Sequence, residues 1–388
     1  MIYSYPTLST EDREVLGLIR DLRSELRHQV STNPVRWTGF LRRTTFARAL
    51  QGSNSIEGIN ANLAEAVAIV DDERPETLEE ETVRALQGYR SAMTYILRLH
   101  DDPHVDINAQ LIRSLHFMML SYDMTKLPGQ WRNGPIYVVH EPTGETVYEG
   151  PDADEVPGLI DELVQQANSA DNVESSTVLG ALVHLNLAMI HPFKDGNGRM
   201  ARALQTLVLA RNGIVSPVFC SIEEWLGRNT DVYYKILAET GKGSWHPEND
   251  ALPWVRFCLV AHYQQAATLK KRNALIGRMW SEIERITNQF KLNERMQAPL
   301  MDAAFGYKVR NQRHRTENGI SEVVASRDLK ALCDLGLLEP IGEKRGRYYV
   351  AGVQIANLRQ KFADRSKAAN PYDLIAASAQ AAQLSLPV

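Results

Sequence analysis

Apolar residues recur at intervals of three and four along most of the chain, which is the spacing of one face of an α-helix. The stretch from Leu78 to Leu99 is representative. Its apolar face comprises Val83, Leu86, Tyr89, Met93 and Ile96. The same pattern predicts further helices at residues 11–27, 107–120, 156–167, 173–190 and 252–286. The predicted fold class is therefore mostly α.

One segment breaks the helical pattern with two β-prone runs. The first contains Ile136, Tyr137 and Val138, and the second covers residues 146–148. A Pro/Gly turn at residues 141–145 separates them, so the segment predicts a β-hairpin. A lone hairpin in a helical chain either covers the core or offers its edge strand to a partner.

A second module is predicted after residue 290, where polar residues and Pro299 mark a boundary. Residues 297–360 predict a winged helix-turn-helix with a helix at 301–305. A second helix is expected to start at Ser326 and to end at Gly336. The wing strands are predicted at 338–342 and 347–350, with Lys344 and Arg345 at the tip.

This module binds either DNA, through its second helix, or protein. Arg310, Arg313 and Arg315 make the region locally basic. Asp328 and Asp334 interrupt the second helix with negative charge, so we favour protein binding or autoregulation.

A polar run between two apolar helical stretches carries the densest chemistry of the chain. It reads His-Pro-Phe-Lys-Asp-Gly-Asn-Gly-Arg-Met-Ala-Arg over residues 191–202, here called the signature segment. Gly196 and Gly198 let the backbone approach a bound group closely. Arg199 and Arg202 share a face of the first turn of the following helix, whose N-terminus itself favours anions. These features predict a polyphosphate site, with His191 as a base at its mouth and Asp195 as a candidate Mg²⁺ ligand.

Each of these residues also has an ordinary structural explanation. A lone histidine at a helix end is usually a cap, two arginines near a helix start are usually solvated, and Gly-Asn-Gly is a common turn. Together, however, two positive charges at the positive end of a helix are unfavourable. An anionic ligand removes that conflict.

The signature segment resembles the motif of the Fic family, His-Pro-Phe-x-x-Gly-Asn-Gly-Arg-x-x-Arg, at every fixed position. The resemblance implies a Fic-type helical bundle and transfer of AMP from ATP to a protein hydroxyl. By position, His191 would be the general base and Asp195 the Mg²⁺ ligand. Gly196, Asn197 and Gly198 would form the anion hole. Arg199 and Arg202 would hold the phosphates.

A second segment, Ser-Asn-Ser-Ile-Glu-Gly at residues 53–58, resembles the inhibitory motif of the same family. The resemblance implies that Glu57 pairs with Arg202 and occupies the place of the γ-phosphate. Ser53 and Gly58 are the other fixed positions of the motif. A motif upstream of the core implies the class with an N-terminal inhibitory helix. By itself the pattern also fits a helix end with Gly58 as its C-cap.

The resemblance implies two further elements. The hairpin would be the Fic flap, whose edge aligns the target, and this favours the partner-binding interpretation of Ile136, Tyr137 and Val138. Asn229 and Tyr233, four residues apart, would shape the adenine pocket on one helix, although the order here departs from the usual family pattern. Core packing explains the adjacent pair Tyr233 and Tyr234 equally well.

The bulk composition is that of an ordinary globular protein, with 44% hydrophobic and 23% charged residues and a net charge of −4. No apolar run reaches the length of a membrane span, and the N-terminus lacks the pattern of a signal peptide. Three scattered cysteines argue against a disulfide framework. A cytoplasmic location is therefore expected. The run from His100 to His104 predicts a solvated turn rather than a metal site.

The combined prediction is an autoinhibited protein adenylyltransferase that uses ATP and Mg²⁺ and modifies an unidentified protein and itself. A homodimer and DNA binding by the winged helix are left open, and no membrane partner is expected. The domains are an N-terminal helical region with the inhibitory motif (1–75), a Fic core (76–245), a helical extension (246–292), the winged helix (293–362) and an Ala-rich tail (363–388). Alternatives are removal of AMP by the same site, and a nucleotide-sensing DNA-binding regulator. Gly196, Gly198 and Arg199 argue against the phosphotransferase variant of the family.

Overall fold

The computed structural model describes residues 1–99, 102, 104–140, 144–169, 173–211, 219–343, 346–364 and 366–384. Several sequence predictions fall on the remaining residues and so lie outside the described part. They concern His100, Asp101 and Pro103 of the predicted turn, residues 141–143 of the hairpin turn, and Lys344 and Arg345 of the wing tip.

The chain divides into two compact units. The first comprises Met1–Ser31, Thr44–Thr268 and Ala368–Val388, and the second comprises Thr32–Arg43 and Leu269–Lys367. These boundaries differ from the predicted domains. Three of them fall inside the helices Thr10–Thr32, Val35–Ile56 and Leu252–Gln289, the fourth follows Lys367, and none falls at the polar segment near residue 290. Long helices carry no local signal of such a division, since their periodicity continues across it.

Helices dominate both units, so the predicted mostly α class is confirmed. The helices up to the end of the long central one are α1 (Thr10–Thr32), α2 (Val35–Ile56), α3 (Leu63–Val70), α4 (Glu80–Leu99), α5 (Ala109–Leu120), α6 (Val156–Ala167), α7 (Val173–Ile190), α8 (Asn197–Arg211), α9 (Glu223–Arg228), α10 (Thr230–Gly241) and α11 (Leu252–Gln289). The later helices are α12 (Gln297–Ala304), α13 (Asn311–Asn318), α14 (Glu322–Asp334), α15 (Val353–Ala356), α16 (Leu358–Phe362) and α17 (Pro371–Leu384).

The centre of the first unit is the helix pair α7 and α8, which flanks the signature segment. Nearly all of α8 from Asn197 to Ala210 is buried, including both arginines and Gln205. A helix that is covered on every side belongs in the middle of a helical domain. The start of α8 is consequently held in place by the core.

The predicted hairpin is present as strands β1 (Tyr137–His140) and β2 (Glu145–Glu149), paired antiparallel. The register runs from Tyr137 opposite Glu149 to His140 opposite Glu145, with an irregularity between Val138 and Val139. Tyr148 is buried on the inner face, whereas Tyr137, Val139 and Val147 are exposed. The hairpin therefore packs on the first unit by one face only.

The segment 53–58 forms the C-terminal end of α2. Gly58 adopts a left-handed φ of 75°, and the N–H of Ile59 returns to the carbonyl of Asn54. This is a glycine-terminated helix end, as the structural interpretation of Gly58 predicted. Glycine also governs where this end packs: a Cβ on Gly227 of α9 would lie 2.5 Å from Cα of Gly52. The last turns of α2 are thus in backbone contact with α9.

The expectation that Asn229 and Tyr233 lie on one helix is wrong. Asn229 separates α9 from α10 with φ −127° and ψ 36°, outside the helical region. Asn229 donates from Nδ2 to the carbonyl of Trp225 at 2.8 Å, which is one of the free carbonyls at the end of α9. Asparagine commonly ends helices in this way, and the periodicity alone does not reveal the break.

The second unit contains α12 to α14 followed by an antiparallel strand pair, β3 (Leu338–Ile341) and β4 (Tyr348–Ala351). An isolated bridge joins Val309 to Tyr349, ahead of α13. The predicted strands are confirmed to within a residue, and Gly336 ends α14 with φ 69°.

Two predictions for α14 are corrected. The N-cap is Ser321, whose hydroxyl accepts from the N–H of Val324, and Ser326 lies inside the helix. Asp328 does not interrupt an exposed face, because it is buried and accepts two bonds from Arg295, at 2.6 and 2.9 Å. It also faces His314 Nε2 at 3.0 Å. An ion pair that closes in three dimensions has no signature in the local sequence.

The C-terminal helix α17 belongs to the first unit. Tyr372 donates to Asp12 Oδ1 at 2.8 Å, and Gln264 reaches the carbonyl of Ala368 at 3.3 Å. Ile375 packs against the core of the first unit. The Ala-rich segment is therefore helical over Pro371–Leu384 and packs on the first unit. Among the described helices, none is long and apolar enough to cross a membrane.

Candidate active site

The signature segment forms a tight loop between α7 and α8. The chain leaves α7 with His191 at φ 49° and enters α8 after Gly196 at φ 77°. A Cβ on Gly196 would lie 2.7 Å from Leu120 Cδ1, so a larger residue does not fit. Asn197 closes the loop from inside, because its side chain accepts from the Phe193 N–H and donates to the Phe193 carbonyl, each at 2.9 Å. Its amide is thus engaged with the loop itself, and what it offers to an anion is the backbone at the start of α8.

His191 presents one free ring nitrogen. Nδ1 lies 3.0 Å from the carbonyl of Ala188, which can only accept, so Nδ1 carries the proton. Nε2 is left as an acceptor, without a hydrogen-bond partner among the described residues. Burial lowers the pKa of His191 below its ordinary value, which keeps the ring neutral. A neutral imidazole with an open nitrogen has the form of a general base.

Arg132, which the sequence analysis missed, holds the backbone around His191. Its Nε donates to the His191 carbonyl at 2.9 Å, and its Nη1 donates to the Gly134 carbonyl at 2.8 Å. Nη2 reaches the Pro151 carbonyl at 2.5 Å. The guanidinium is buried and therefore joins the signature loop to both ends of the hairpin segment. An arginine that binds only carbonyls leaves no pairing pattern in the sequence.

His116 of α5 fixes the other side of the loop. Nδ1 accepts from the Gly129 N–H at 2.8 Å, so Nε2 carries the proton and donates to the Asp195 carbonyl at 2.9 Å. The ring stacks on Phe193 with centroids 3.6 Å apart and an interplanar angle of 5°. Burial lowers the pKa of His116 to about 4. This residue was also missed, because a histidine on an apolar helix face usually signals core packing alone.

Arg202 and Glu57 form a close ion pair across 145 residues of sequence. Arg202 Nη2 lies 2.6 Å from Glu57 Oε1, and the arginine side chain is 1% exposed against 22% for the glutamate. Burial by itself would lower the pKa of Arg202, but the Glu57 carboxylate outweighs it and raises the pKa above its ordinary value. The guanidinium also donates to Ser53, through Nε to the hydroxyl at 2.8 Å and through Nη2 to the carbonyl at 2.9 Å. Segment 53–58 and the signature segment therefore meet, although they are far apart in sequence.

Ser53 continues this contact into the core. Its hydroxyl bonds to the Tyr89 hydroxyl at 2.9 Å, and Tyr89 in turn donates to Glu223 Oε1 at 2.5 Å. All three residues are buried, and burial raises the pKa of Glu223 to about 7. This chain ties the end of α2 to α4 and α9. No pattern in the sequence predicts this contact, because Tyr89 and Glu223 lie on ordinary helix faces.

Gly198 lies directly beneath Glu57. A Cβ at this position would lie 2.4 Å from Glu57 Oε1 and 3.1 Å from Arg202 Nη1. Only glycine allows the carboxylate to approach the first turn of α8 this closely. The same small residue leaves space for a phosphate there when Glu57 is absent.

Arg199 is buried with part of its guanidinium unpaired. Its side chain is 2% exposed, and Nη2 lies 3.7 Å from Asp195 Oδ1. Nε and Nη1 are buried without a hydrogen-bond partner in the described part of the chain. Leaving buried donors of a charged group unpaired costs at least about 1–3 kcal/mol, so the arrangement favours binding of an anion at this position.

Asp195 is the single carboxylate at the loop. Its Oδ2 lies 3.0 Å from Lys126 Nζ, and its Oδ1 accepts from the Gly196 N–H at 2.5 Å. Within the described ranges, no cluster of three His, Cys, Asp or Glu side chains suits a metal ion. One partly exposed carboxylate nevertheless fits an Mg²⁺ ion that arrives with phosphate oxygens, since such ions use few protein ligands.

A cavity of about 440 Å³ connects the parts described so far. Its lining includes His191, Asp195, Gly198 and Glu57 on one side. The hairpin contributes Ile136, Tyr137, Val138, Val147 and Tyr148. The predicted base, the predicted flap residues and the Glu57 carboxylate therefore surround one space.

A family comparison matches the segment that carries this site. Residues 106–209 match the Fic/DOC family. The Fic/DOC match covers α5 to α8 with the hairpin, and so includes the signature segment. Glu57, Asn229 and Tyr233 lie outside it.

Curated relatives extend the similarity beyond this segment. The protein adenylyltransferase fic-1 of Caenorhabditis briggsae is 26% identical over 269 residues, which cover 68% of this chain and 48% of that protein. Protein adenylyltransferase Fic of Drosophila yakuba is 30% identical over 231 residues, or 56% of this chain and 41% of that protein. The chain spans about half the length of the curated relatives it matches.

Solved structures share the fold. A Fic family protein from Desulfovibrio desulfuricans G20 superposes with a TM-score of 0.58 over 90% of this chain and 99% of that chain, at 19% identity. Residues 134–508 of Fic-1 from C. elegans give a TM-score of 0.53 over 70% of this chain and 73% of that chain, at 22% identity. The chain therefore has the fold of Fic proteins.

The two residues assigned to the adenine pocket have different positions. Tyr233 lines the cavity and lies 3.5 Å from Arg202 Nη1 through its hydroxyl. Asn229 is absent from the cavity lining and binds the Trp225 carbonyl instead. Tyr234 lines the cavity beside Tyr233. The break between α9 and α10 turns Asn229 away from the helical face that it was expected to share.

Proposed function

We propose that the protein transfers AMP from ATP to a hydroxyl side chain of a target protein and of itself. The observation that carries this proposal is the buried guanidinium of Arg199, with two donors unpaired at the start of α8. Unpaired buried donors beside a helix N-terminus suit a phosphate group. The names of the relatives, protein adenylyltransferases, support the same chemistry.

In the proposed reaction, the open Nε2 of His191 takes the proton from the target hydroxyl. The hydroxyl oxygen then bonds to the α-phosphorus, the α–β phosphoanhydride bond breaks, and pyrophosphate leaves. Arg199 and Arg202 hold the phosphates through their guanidinium groups, and the N–H groups at the start of α8 line the anion hole. Asp195 is the residue that would hold Mg²⁺, which when bound neutralises phosphate charge.

We propose further that the site is autoinhibited. Glu57 lies on Arg202 and above Gly198, so its carboxylate competes with the γ-phosphate for the same guanidinium. Two anions cannot share this buried space without strong repulsion. ATP then binds in a non-productive position until the end of α2 moves or Glu57 is removed.

The hairpin is proposed to align the target. Tyr137 and Val139 are exposed on β1, and the inner residues reach the cavity. An unpaired strand edge at this place can pair with the backbone of an extended target segment and bring its hydroxyl to His191. A change of edge chemistry such as Val139→Pro tests this role.

Removal of AMP by the same site is a second candidate, favoured by one observation. Glu57 bonds Arg202 through Oε1 only, and its side chain remains 22% exposed at the cavity. The second oxygen is thus placed to orient a water molecule. Incubation with an AMP-modified target separates this activity from transfer.

The second unit is proposed to contain a winged helix, on the support of α12 to α14 and the strand pair β3–β4. The exposed side chains of α14 carry both signs of charge, among them Glu322, Arg327, Lys330 and Asp334. This mixture favours a protein partner or autoregulation over DNA. A gel-shift assay at several salt concentrations tests the DNA alternative, because phosphate contacts make binding salt-dependent.

The deciding experiment uses ATP labelled at the α-phosphate. Purified protein, with and without a cell lysate, is incubated with Mg²⁺, and labelled bands are resolved. Glu57→Gly is the sensitised form, and Glu57→Gly/His191→Ala is its matched control. AMP transfer predicts label in the first and not in the second. Label from the γ-phosphate, or no nucleotide binding by the sensitised form, would contradict the proposal.

A further inference from the structure

A continuous chain of buried polar side chains runs from α1 to the cavity. Arg23 on α1 is followed by His262 on α11, Gln205 on α8, His184 on α7 and Tyr233 on α10. Each of these side chains is at most 4% exposed. Tyr233 is the only member that lines the cavity among the described residues.

The polarity of the chain is fixed at Arg23. A guanidinium can only donate, and Arg23 Nη2 lies 2.8 Å from His262 Nδ1. His262 Nδ1 is therefore an acceptor. Burial, with Arg23 nearby, lowers the pKa of His262 well below its usual value, so the ring is neutral and its one proton sits on Nε2.

The next contact transmits this polarity. His262 Nε2 lies 3.2 Å from the Gln205 amide, and a protonated ring nitrogen requires an acceptor there. The structure places Gln205 Nε2 toward His262 and Gln205 Oε1 2.7 Å from His184 Nδ1. The donor requirement at His262 reverses this amide, so that its oxygen accepts from His262 and its NH₂ group donates to His184 Nδ1. The opposite amide orientation would give His262 two accepting nitrogens and no proton, which a neutral imidazole cannot have.

His184 determines the donor direction of the last hydrogen bond, at the cavity. Because its Nδ1 accepts from Gln205, its Nε2 carries the proton and donates to the Tyr233 hydroxyl at 3.0 Å. Arg202 Nη1 approaches the same oxygen at 3.5 Å and can also only donate. The Tyr233 oxygen thus receives two donors, and its own proton has no acceptor among the described residues.

We infer that Arg23, His262, Gln205 and His184 are positioning residues that direct the Tyr233 hydroxyl proton into the cavity, where it donates to a phosphate oxygen of the nucleotide. This inference rests on the proposed function for the identity of the acceptor, and on geometry alone for the direction of the proton. Burial also raises the pKa of Tyr233 to about 12, so the phenol keeps its proton at neutral pH.

The direction of the chain is measured first, without reference to activity. Protein labelled with ¹⁵N-histidine reports which ring nitrogen of His184 is protonated through its ¹⁵N chemical shifts, with His184→Asn to assign the signal. Protonation at Nε2 is expected. Protonation at Nδ1 would overturn the inference whatever the enzyme does.

The consequence for binding is measured next, in the Glu57→Gly background that clears Arg202. Tyr233→Phe and Gln205→Met are each expected to raise the Kd for ATP about tenfold or more, as loss of a hydrogen bond to a charged group does. The double variant is expected to bind like the single variants, within about twofold, since both remove one interaction. Adenosine, which lacks phosphates, should bind all forms alike.

Thr177→Val is the matched control. Thr177 accepts from Arg23 Nη1 at 3.2 Å, so the change removes one contact of Arg23 at the far end of the hydrogen-bond chain. Arg23 still donates to His262. The Kd for ATP should change by less than about twofold. Additive losses in the double variant, or an equal loss of adenosine binding, would overturn the inference. If Glu57→Gly itself binds no ATP, the proposed function fails, while the His184 measurement still decides the direction of the chain. That measurement also stands if Gln205→Met does not fold.

Discussion

Single side chains at this site act through what their neighbours leave open. His191 has one ring nitrogen bonded to the Ala188 carbonyl and the other free, so one hydrogen bond determines which nitrogen of the neutral ring carries the proton. Arg199 has unpaired donors, whereas Arg202 is paired to Glu57. The two arginines differ in what a nucleotide would have to displace, although the sequence presents them as equivalent.

Glu57→Gly is expected to raise AMP transfer, including self-modification, by a large factor. The carboxylate lies 2.6 Å from Arg202, and its removal frees the guanidinium and removes repulsion against the phosphates. Every 1.4 kcal/mol by which the loss of Glu57 favours productive ATP binding strengthens that binding about tenfold. Label incorporation from Mg²⁺-ATP is compared side by side with wild type. Equal or lower incorporation by a folded variant would reject autoinhibition.

His191→Ala is expected to lower AMP transfer by a factor of about 10²–10⁴ while ATP still binds. The imidazole offers an acceptor to a hydroxyl and makes no contact with the two arginines of the signature segment. Transfer is measured in the Glu57→Gly background, and ATP affinity is measured by calorimetry on the same protein. If the double variant transferred AMP as fast as Glu57→Gly alone, His191 could not be the general base.

Arg202→Ala is expected to weaken ATP binding without raising activity. The change frees Glu57, but it also removes the guanidinium that should hold the γ-phosphate. It further leaves the Ser53 hydroxyl and carbonyl without their donor, so thermal stability should fall. Strong activation of this variant, measured against Glu57→Gly, would contradict the phosphate-binding role.

At the scale of elements, the site depends on helix ends and crossings. The glycine-terminated end of α2 brings Glu57 over Gly198, and the contact of Gly52 with Gly227 sets how close α2 lies to α9. The chain from Ser53 through Tyr89 to Glu223 then fixes the rotation of α2. Under the proposed autoinhibition, release would therefore require a movement of the end of α2 and not of the Glu57 side chain alone.

The packing of α7, α8 and α11 predicts a pH dependence of stability. Burial lowers the pKa of His184 to about 3, with Arg202 the nearby charged group that lowers it further, and the pKa of His262 falls well below its usual value. Both rings gain protons in the unfolded chain near pH 6.5 but stay neutral when folded. Between pH 6.5 and the lowered pKa values, the unfolded state therefore binds more protons than the folded state. The free energy of unfolding consequently falls as the pH drops below about 6.5.

Chemical denaturation between pH 7.5 and 5 measures this dependence. Each histidine contributes up to about 1.4 kcal/mol per pH unit to the slope of the unfolding free energy once the pH is below 6.5. His184→Asn, if it folds, is expected to reduce the difference in bound protons between the unfolded and folded states by about one, which lowers the slope by about 1.4 kcal/mol per pH unit. An unchanged slope would show that His184 is already charged or exposed in the folded chain.

At the scale of the whole molecule, the first unit draws on both ends of the chain. Asp12 near the N-terminus receives bonds from Tyr372 of α17 and from Arg256 of α11, the latter at 2.8 Å. These partners lower the pKa of Asp12 to about 2, against the opposing effect of burial. The Ala-rich C-terminal segment therefore contributes to the unit that carries the active site.

In the Glu57→Gly background, ending the chain before Gln297 is expected to leave a folded protein that still binds ATP and labels itself. The cavity and its lining lie within residues 57–238, ahead of the deletion. The loss of Tyr372 and its contact with Asp12 should lower the melting temperature. Tyr372→Phe in the full chain is the control that isolates that contact. A truncated protein that is insoluble or does not bind ATP would show that residues after 296 are needed to complete the site.

The sequence by itself determined the elements and the chemistry that is local in the chain. Periodicity located the helices, the β-prone runs located the hairpin, and the signature segment placed a base, an acid, two glycines and two arginines within twelve residues. These features follow from short-range rules, because helical periodicity, turn geometry and spacing along one helix involve residues close in sequence.

Only the tertiary structure decided what each residue contacts. Arg132 and His116 hold the signature loop from other elements, Asn229 ends a helix, and Asp328 is buried in an ion pair. The resemblance pointed to Glu57 and Arg202 as partners, but their 2.6 Å contact exists because α2 crosses α9 at two glycines. Contacts of this kind arise from the packing of whole helices, whose relative positions depend on the sum of many weak apolar interactions and not on any local pattern.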